Sequence, residues 1–310
     1  MIHELPLERR TLHGHFSSDL APVLTVDPGD SVVFPTLDVG WGIGPPTDDR
    51  GTRERLSPRD PDLDSGHALV GPIEVRGARA GGTLAVHFDE LRVGAYGITD
   101  AGGFDNALNR RLGVAGGETH TLVWSLDPDA GTARDQHSRT VDLQPFLGVV
   151  GMPPPEPGVH STLPPRRWGG NIDCSELVAG TTLYLPIPVD GGLLSAGDAH
   201  ARQGDGEVSQ LAMECPMERV RLTLTLVDGL DLDNPIARVG GAWLTFGFDE
   251  DLDEAAAQAV DGMLALMGRE LGLERRDALA LASVVVDLRV TQIVNGAKGI
   301  HAVLRDGAIR

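Results

Sequence analysis

The stretch GDAHARQGDGEVSQLAMEC, residues 197–215, gathers Asp198, His200, Asp205, Glu207 and Glu214 around glycines at 197, 204 and 206. Carboxylates and imidazole are the side chains that hold divalent metals and move protons. Zinc, iron and manganese accept that mixture, whereas calcium wants oxygens and no histidine. Asp198 and His200 end an apolar, strand-like run. In extended chain, positions i and i+2 project to one face, so the two can share one ion. Gly204 and Gly206 let the backbone fold back and bring Asp205 and Glu207 towards the same pocket. Glu207 is the candidate general base, Asp205 a neighbouring acid available for proton transfer, and Glu214 a further ligand or second base. The ordinary alternatives are an exposed strand end for the Asp-x-His pair and an Arg-paired, partly buried carboxylate for Glu214.

A second acid comes from WGGNIDCSEL (168–177), where Asp173 follows a Gly-Gly kink that allows close backbone approach and aims a carboxylate inward. An Asn-x-Asp turn is the competing reading. Cys174 and Cys215 are the only cysteines, with no Cys-x-x-Cys pair, which reads as two buried thiols rather than a zinc knuckle or disulfide framework. A thiol at Cys174, buried beside carboxylates, is held protonated and makes a poor nucleophile. The chain contains no Gly-x-Ser-x-Gly elbow.

The elements that must position these groups are mostly strands. Forty glycines and 21 prolines punctuate short apolar runs, a pattern of strands and turns. PVLTVDPGDSVVFPTLDV (22–39) and ALVGPIEVRGARAGGTLAVHFDELRV (68–93) each read as strand–turn–strand hairpins. With HTLVWSLD (120–127) they predict a jelly-roll-like antiparallel sandwich over 1–150. Six prolines in MPPPEPGVHSTLPPRR (152–167) require an extended surface loop. A central β block, barrel-like, follows over 151–228 and carries both acidic motifs. Over 229–310 the period changes. Leu252, Ala256, Ala259, Val260, Met263, Leu264, Met267 and Leu271 fall at helical steps, with an acidic start and Gly272 as the stop. A second helix over 275–283 and strands at 284–294 and 300–305 complete a small α+β unit.

A formal net charge of −19, from 26 Lys plus Arg against 45 Asp plus Glu, repels phosphate backbones and speaks against nucleic acid as a partner. No stretch reaches the roughly 18 apolar residues of a membrane span, and MIHELPLERR lacks the apolar core of a secretory signal, so the expected location is the cytoplasm. Exposed β edges point to a homo-oligomer.

Three segments, QPFLGVVGMPPPEPG, RRWGGNIDCSEL and TTLYLPIPVDGGLLSAGDAHARQGDGEVSQLAMEC, resemble in order and spacing the core motifs of the acetamidase/formamidase family. HGHFSSDLAPVLTVDPGDSVVF, SGHALVGPIEVRGARAGGTLAV and ASVVVDLRVTQIVNGAKGIHAVL are similar to its N-terminal, second and C-terminal blocks. The length resembles the shorter, acetamidase-like branch. The resemblance implies a mostly β hydrolase that converts short linear amides to carboxylate and ammonia with a divalent metal, commonly zinc. It carries Asp173, Asp198, His200 and Glu207 over as motif positions, and adds His13 or His15 as an extra ligand. His13 is favoured because it lies nearer the family's histidine counted back from Pro22. The alternatives are a non-catalytic metal- or ligand-binding β protein and a hydrolase of larger or cyclic amides, with the polar 41–66 loop setting the size limit.

Overall fold

The structure, a computed structural model, describes residues 1–310, with nineteen strands and three α-helices. The mostly β expectation and the helix-containing C-terminal unit both hold. The strands form sheets of nine, six and four members. The nine-stranded sheet takes Ile2–Glu4, Ser31–Phe34 and Thr83–Val93 from the N-terminal third, and Thr182–Pro186 and Met217–Val227 from the middle. It ends on Ile236–Val239, Ala242–Asp249, Lys298–Arg305 and Val286–Gln292. The changes of pattern at 150 and 228 therefore do not separate sheets, and the sandwich is built jointly by all three segments. One cluster of 44 buried apolar residues runs from Leu5 to Val303, with Phe34, Phe88 and Leu222 meeting Ile73, Leu147 and Leu194 from the six-stranded sheet.

Neither expected hairpin is one. The turn at Pro28-Gly29-Asp30 forms, Asp30 N–H donating to Asp27 O, but its two flanks join different sheets. Leu24–Val26 pairs parallel with Leu69–Val75, while Ser31–Phe34 pairs with Ile2–Glu4 and Met217–Val227. Leu69–Val75 and Thr83–Val93 likewise part company, the first joining Leu194–His200 and the second Met217–Val227 and Thr182–Pro186. Ser31–Phe34 is buried along its whole length, and a strand covered on both faces is placed by the layers it fills rather than by its sequence neighbour. Alternation and turn residues locate the turn without saying which strands pair.

The long helix spans Leu252–Leu271; Asp251 caps its start by accepting from Asp253 N, and left-handed Gly272 ends it. A second helix, Arg275–Val285, follows, and Ala259, Met263 and Met267 pack with Ala278 and Ile300 in a cluster of their own. The third helix, Ala107–Leu112, carries no periodic signal long enough to be read from sequence. No helix is long and apolar enough to cross a membrane. The long helix approaches its sheet closely at Gly247, where a Cβ would stand 2.0 Å from Ala255 O and 2.7 Å from Ala259 N. Gly247→Ala is expected to cost about 1–3 kcal/mol through overpacking, read as a lowered urea midpoint; an unchanged midpoint would contradict this contact.

Candidate functional site

Asp198 lies in Leu194–His200, flanked in the six-stranded sheet by Phe146–Gly151 and Leu69–Val75. With Val149 opposite Gly197 and Leu147 opposite Ala199, Gly148 faces Asp198. A Cβ on Gly148 would stand 2.6 Å from Asp173 Oδ1, 2.7 Å from Asp198 Oδ2 and 2.8 Å from His200 Cε1. The missing side chain is the room in which these groups meet. Phe146 packs edge-on against the His200 ring, centroids 4.9 Å apart.

The donor atoms of Asp173, His200 and Glu207 lie within 4.8 Å of one another, and so do those of Asp198, His200 and Glu214. All five residues are buried. His200 Nε2 stands 3.2 Å from Glu214 Oε2 and 3.6 Å from Asp198 Oδ1. Asp173 Oδ1, Asp198 Oδ1, Glu214 Oε2 and His200 Nδ1 make no hydrogen bond. Buried polar atoms left unpaired are costly, and carboxylate oxygens converging with an imidazole are a donor set that a divalent transition metal satisfies. The backbone is strained at the same place, because Asp173, Asp198 and Glu207 have φ of 54°, 53° and 47°. Left-handed conformation at a non-glycine residue costs on the order of 1–3 kcal/mol and persists where the surroundings enforce it.

The C-terminal unit closes the site. Gly206 N–H donates to Thr291 O and Ile293 N–H to Gly206 O, pinning the loop that presents Glu207. From the turn after the same strand, Asn295 Nδ2 donates to Asp173 Oδ2 at 2.6 Å and to Glu207 Oε2 at 3.4 Å. Sequence reasoning missed Asn295, whose one signal is an Asn-Gly pair that reads as a plain turn. It also missed Gly148, and His67, whose imidazole is among the groups that lower the Asp198 pKa.

Burial sets the electrostatics. Desolvation, reinforced by Glu214 and Asp198 against the pull of His200, raises the Glu207 carboxyl to about 8. Desolvation and then Glu207 lift Asp173 well above the carboxylate range. Burial works against a charged His200, but Glu214 and Asp198 outweigh it and hold the imidazole's pKa well above its ordinary value. Burial likewise opposes ionisation of Asp198, yet His67 and His200 prevail and hold it at about 2.

Two expected site residues stand elsewhere. Asp205 turns from the cluster to Arg289, 2.6 Å from its Nη2, and is part-exposed. Its neighbour Gly206 reverses the chain at φ 95°, which sends Asp205 outward and Glu207 inward. His13 is buried, but its Nε2 meets Ser195 Oγ at 2.9 Å and its Nδ1 meets His15 O at 2.7 Å. Burial lowers it to about 4, leaving a neutral ring occupied by neighbours and outside the donor cluster. Cys174 and Cys215 are buried and free, as expected.

A cavity of about 260 Å³ reaches Glu207, walled by Trp124, Val141, Leu211 and Met213 with Thr99 and Gln203. The 41–66 loop lines none of it; Arg53 ties that loop to Asp38, and Arg59 stacks over Trp41. A larger cavity, about 440 Å³, lies beside the long helix and contains none of the cluster.

Fold and site thus define a β-sandwich protein with a buried centre of four carboxylates and a histidine. The chain belongs to the acetamidase/formamidase family, whose model matches residues 3–157 and 155–304. It is similar to a formamidase of Methylophilus methylotrophus, 27% identical over 64% of this chain and 60% of that protein. The chain thus spans about 60% of the length of the curated relatives it matches. Crystal structures of an acetamidase from Bacillus halodurans (TM-score 0.82, 27% identity, 97% of both chains) and of a predicted acetamidase/formamidase from Thermoanaerobacter tengcongensis (0.85, 26%, 98% and 96%) superimpose nearly end to end.

In chelator, the protein should lose stability as pH rises. The unfolded Glu207 carboxyl ionises near 4.5 and the folded one near 8, so between those values the folded state holds the extra proton and rising pH favours unfolding. Thermal melts at successive pH values should fall across this window, and Glu207→Gln should flatten the slope. A slope identical in the variant would refute the assignment.

Proposed function

We propose that this protein hydrolyses short linear amides, formamide- or acetamide-like, to carboxylate and ammonia, with a divalent cation, zinc being the best match, held among Asp173, Asp198, His200 and Glu214. The observation that carries the reading is the pair of donor triads sharing His200 and the unpaired oxygens they aim at one place. Family membership supports the reaction class. When bound, such a cation acidifies water from 15.7 towards roughly 7 and polarises a carbonyl.

Glu207 then acts as the base. Its Oε takes a proton from the attacking water, the water oxygen adds to the amide carbon, and the same proton passes to nitrogen as the C–N bond breaks and ammonia leaves. A carboxyl pushed to about 8 by burial and like charge becomes a competent base at neutral pH once a cation offsets that repulsion. Asn295, bonded to both Asp173 and Glu207, holds the base in line. Asp205, paired with Arg289, takes no part. The apolar residues lining the cavity at Glu207, Trp124, Val141, Leu211 and Met213, suit an acyl group. Self-association belongs to the same reading, because the nine-stranded sheet ends on Val286–Gln292, where Leu288 is exposed.

Ammonia release from formamide, acetamide and propionamide, with and without chelator, tests this. Activity is expected on the small amides, lost in chelator and lowered on the order of 10²–10⁴-fold by Glu207→Gln, with Asp205→Asn within about threefold of the parent, since it breaks only a part-exposed ion pair. No release from any of them despite stoichiometric bound metal would favour a binding protein, and release only from bulkier or cyclic amides would move the substrate class. Gly148→Ala should abolish both turnover and cation binding at the centre while leaving the far-ultraviolet circular dichroism intact, because its Cβ occupies the space between the ligands.

A further inference from the structure

Behind Asp173 lies a second group of donors. Cys174, Glu176 and His301 bring a thiol, a carboxylate oxygen and an imidazole nitrogen within 4.8 Å of one another, separately from the five-residue centre. Cys174 and His301 are each 1% exposed. Two of the three ligands have one end already fixed. His301 Nδ1 is bonded to Thr291 Oγ1 at 2.8 Å, and Glu176 Oε1 accepts from Arg289 Nη1 at 2.8 Å. Their other ends, His301 Nε2 and Glu176 Oε2, stand 3.1 Å apart, an ion-pair distance, but off the direction of a well-formed hydrogen bond. Two such atoms, adjacent but not aimed at each other, point to a common third position. Fixing the far nitrogen of a histidine is how proteins orient a metal-binding ring.

We infer that Cys174, Glu176 and His301 form a second cation site that takes a zinc-class transition-metal ion. The donor set is decisive for the class: thiolate with imidazole selects zinc and its borderline neighbours over calcium and magnesium. Ligand atoms around a tetrahedral zinc stand roughly 3.3–3.8 Å apart given bonds of about 2.0–2.3 Å, so the imidazole–carboxylate pair at 3.1 Å is already close to that spacing and no pair of the trio, all within 4.8 Å, has to close by more than about 1.5 Å. The thiol proton is released to solvent on binding. Charge then balances locally, since a dication offsets the Cys174 thiolate and the Glu176 carboxylate, while the guanidinium of Arg289 is matched by Asp205. The site ties the 173–176 segment to Lys298–Arg305, the strand that carries His301, so its role is structural and does not depend on the proposed amidase chemistry.

Cobalt titration of the chelator-treated full chain tests the inference, because a thiolate on cobalt gives a near-ultraviolet charge-transfer band that the thiol-free centre does not. The wild-type protein should develop this band and bind one more ion than Cys174→Ser or His301→Gln. Cys215→Ser should keep the band. Absence of the band in cobalt-saturated wild type, its survival in Cys174→Ser, or equal stoichiometry in wild type and His301→Gln overturns the site. Should Cys174→Ser fail to fold, the wild-type band and the His301→Gln stoichiometry still decide.

Discussion

Four carboxyl groups and one imidazole are held out of water within a few ångströms of one another, and most of what is unusual in this molecule answers to that constraint. Desolvated like charges repel, and unpaired buried oxygens have lost their water without replacement. Without a counter-charge the group settles by redistributing protons. Glu207 and Asp173 hold theirs, while Asp198 ionises against the His200 imidazolium. That division is poised, since any positive charge placed among the acids shifts it towards ionised carboxylates.

Holding the group together takes tertiary structure from every part of the chain. Phe146–Gly151 supplies the vacancy at Gly148, the neighbouring strand supplies Asp198 and His200, and the C-terminal strand and its turn pin Glu207 and bridge it to Asp173 through Asn295. Three of the acids sit in left-handed backbone. Strain of this kind is sustained by the surrounding sheets, one shared core reaching from Leu5 to Val303. Arg289 works one layer out, pairing Glu176 and Asp205, which flank Asp173 and Glu207 in sequence. The two loops that carry the opposed acids thus share a single guanidinium anchor.

Sequence reasoning located strands well where the local pattern decides. HTLVWSLD is a strand over the very residues expected, and the helix over Leu252–Leu271 begins and stops at its Asp and Gly signals. It failed where the decision is a pairing. The runs on either side of Gly29, and again of Gly77 to Gly82, have the local pattern of hairpins but enter different sheets. Among site residues, the motif positions Asp173, Asp198, His200, Glu207 and Glu214 converge. Asp205 and His13 do not, because a single left-handed glycine reverses the direction of a side chain and a nearby Ser195 hydroxyl claims a ring nitrogen.

What the sequence determined by itself is the kind of donor set and the kind of scaffold: oxygen and imidazole donors crowded between glycines, a strand-rich chain, an amphipathic helix near the end and a strongly acidic net charge. Composition and spacing are local properties and are complete in the chain. Only the tertiary structure decided which acids face inward, that Gly148 makes room for them, that Asn295 of the C-terminal unit joins the site, and that Cys174 meets His301. Those are contacts between residues from about 25 to more than 120 positions apart, set by which sheets the strands enter, and no local pattern encodes that choice.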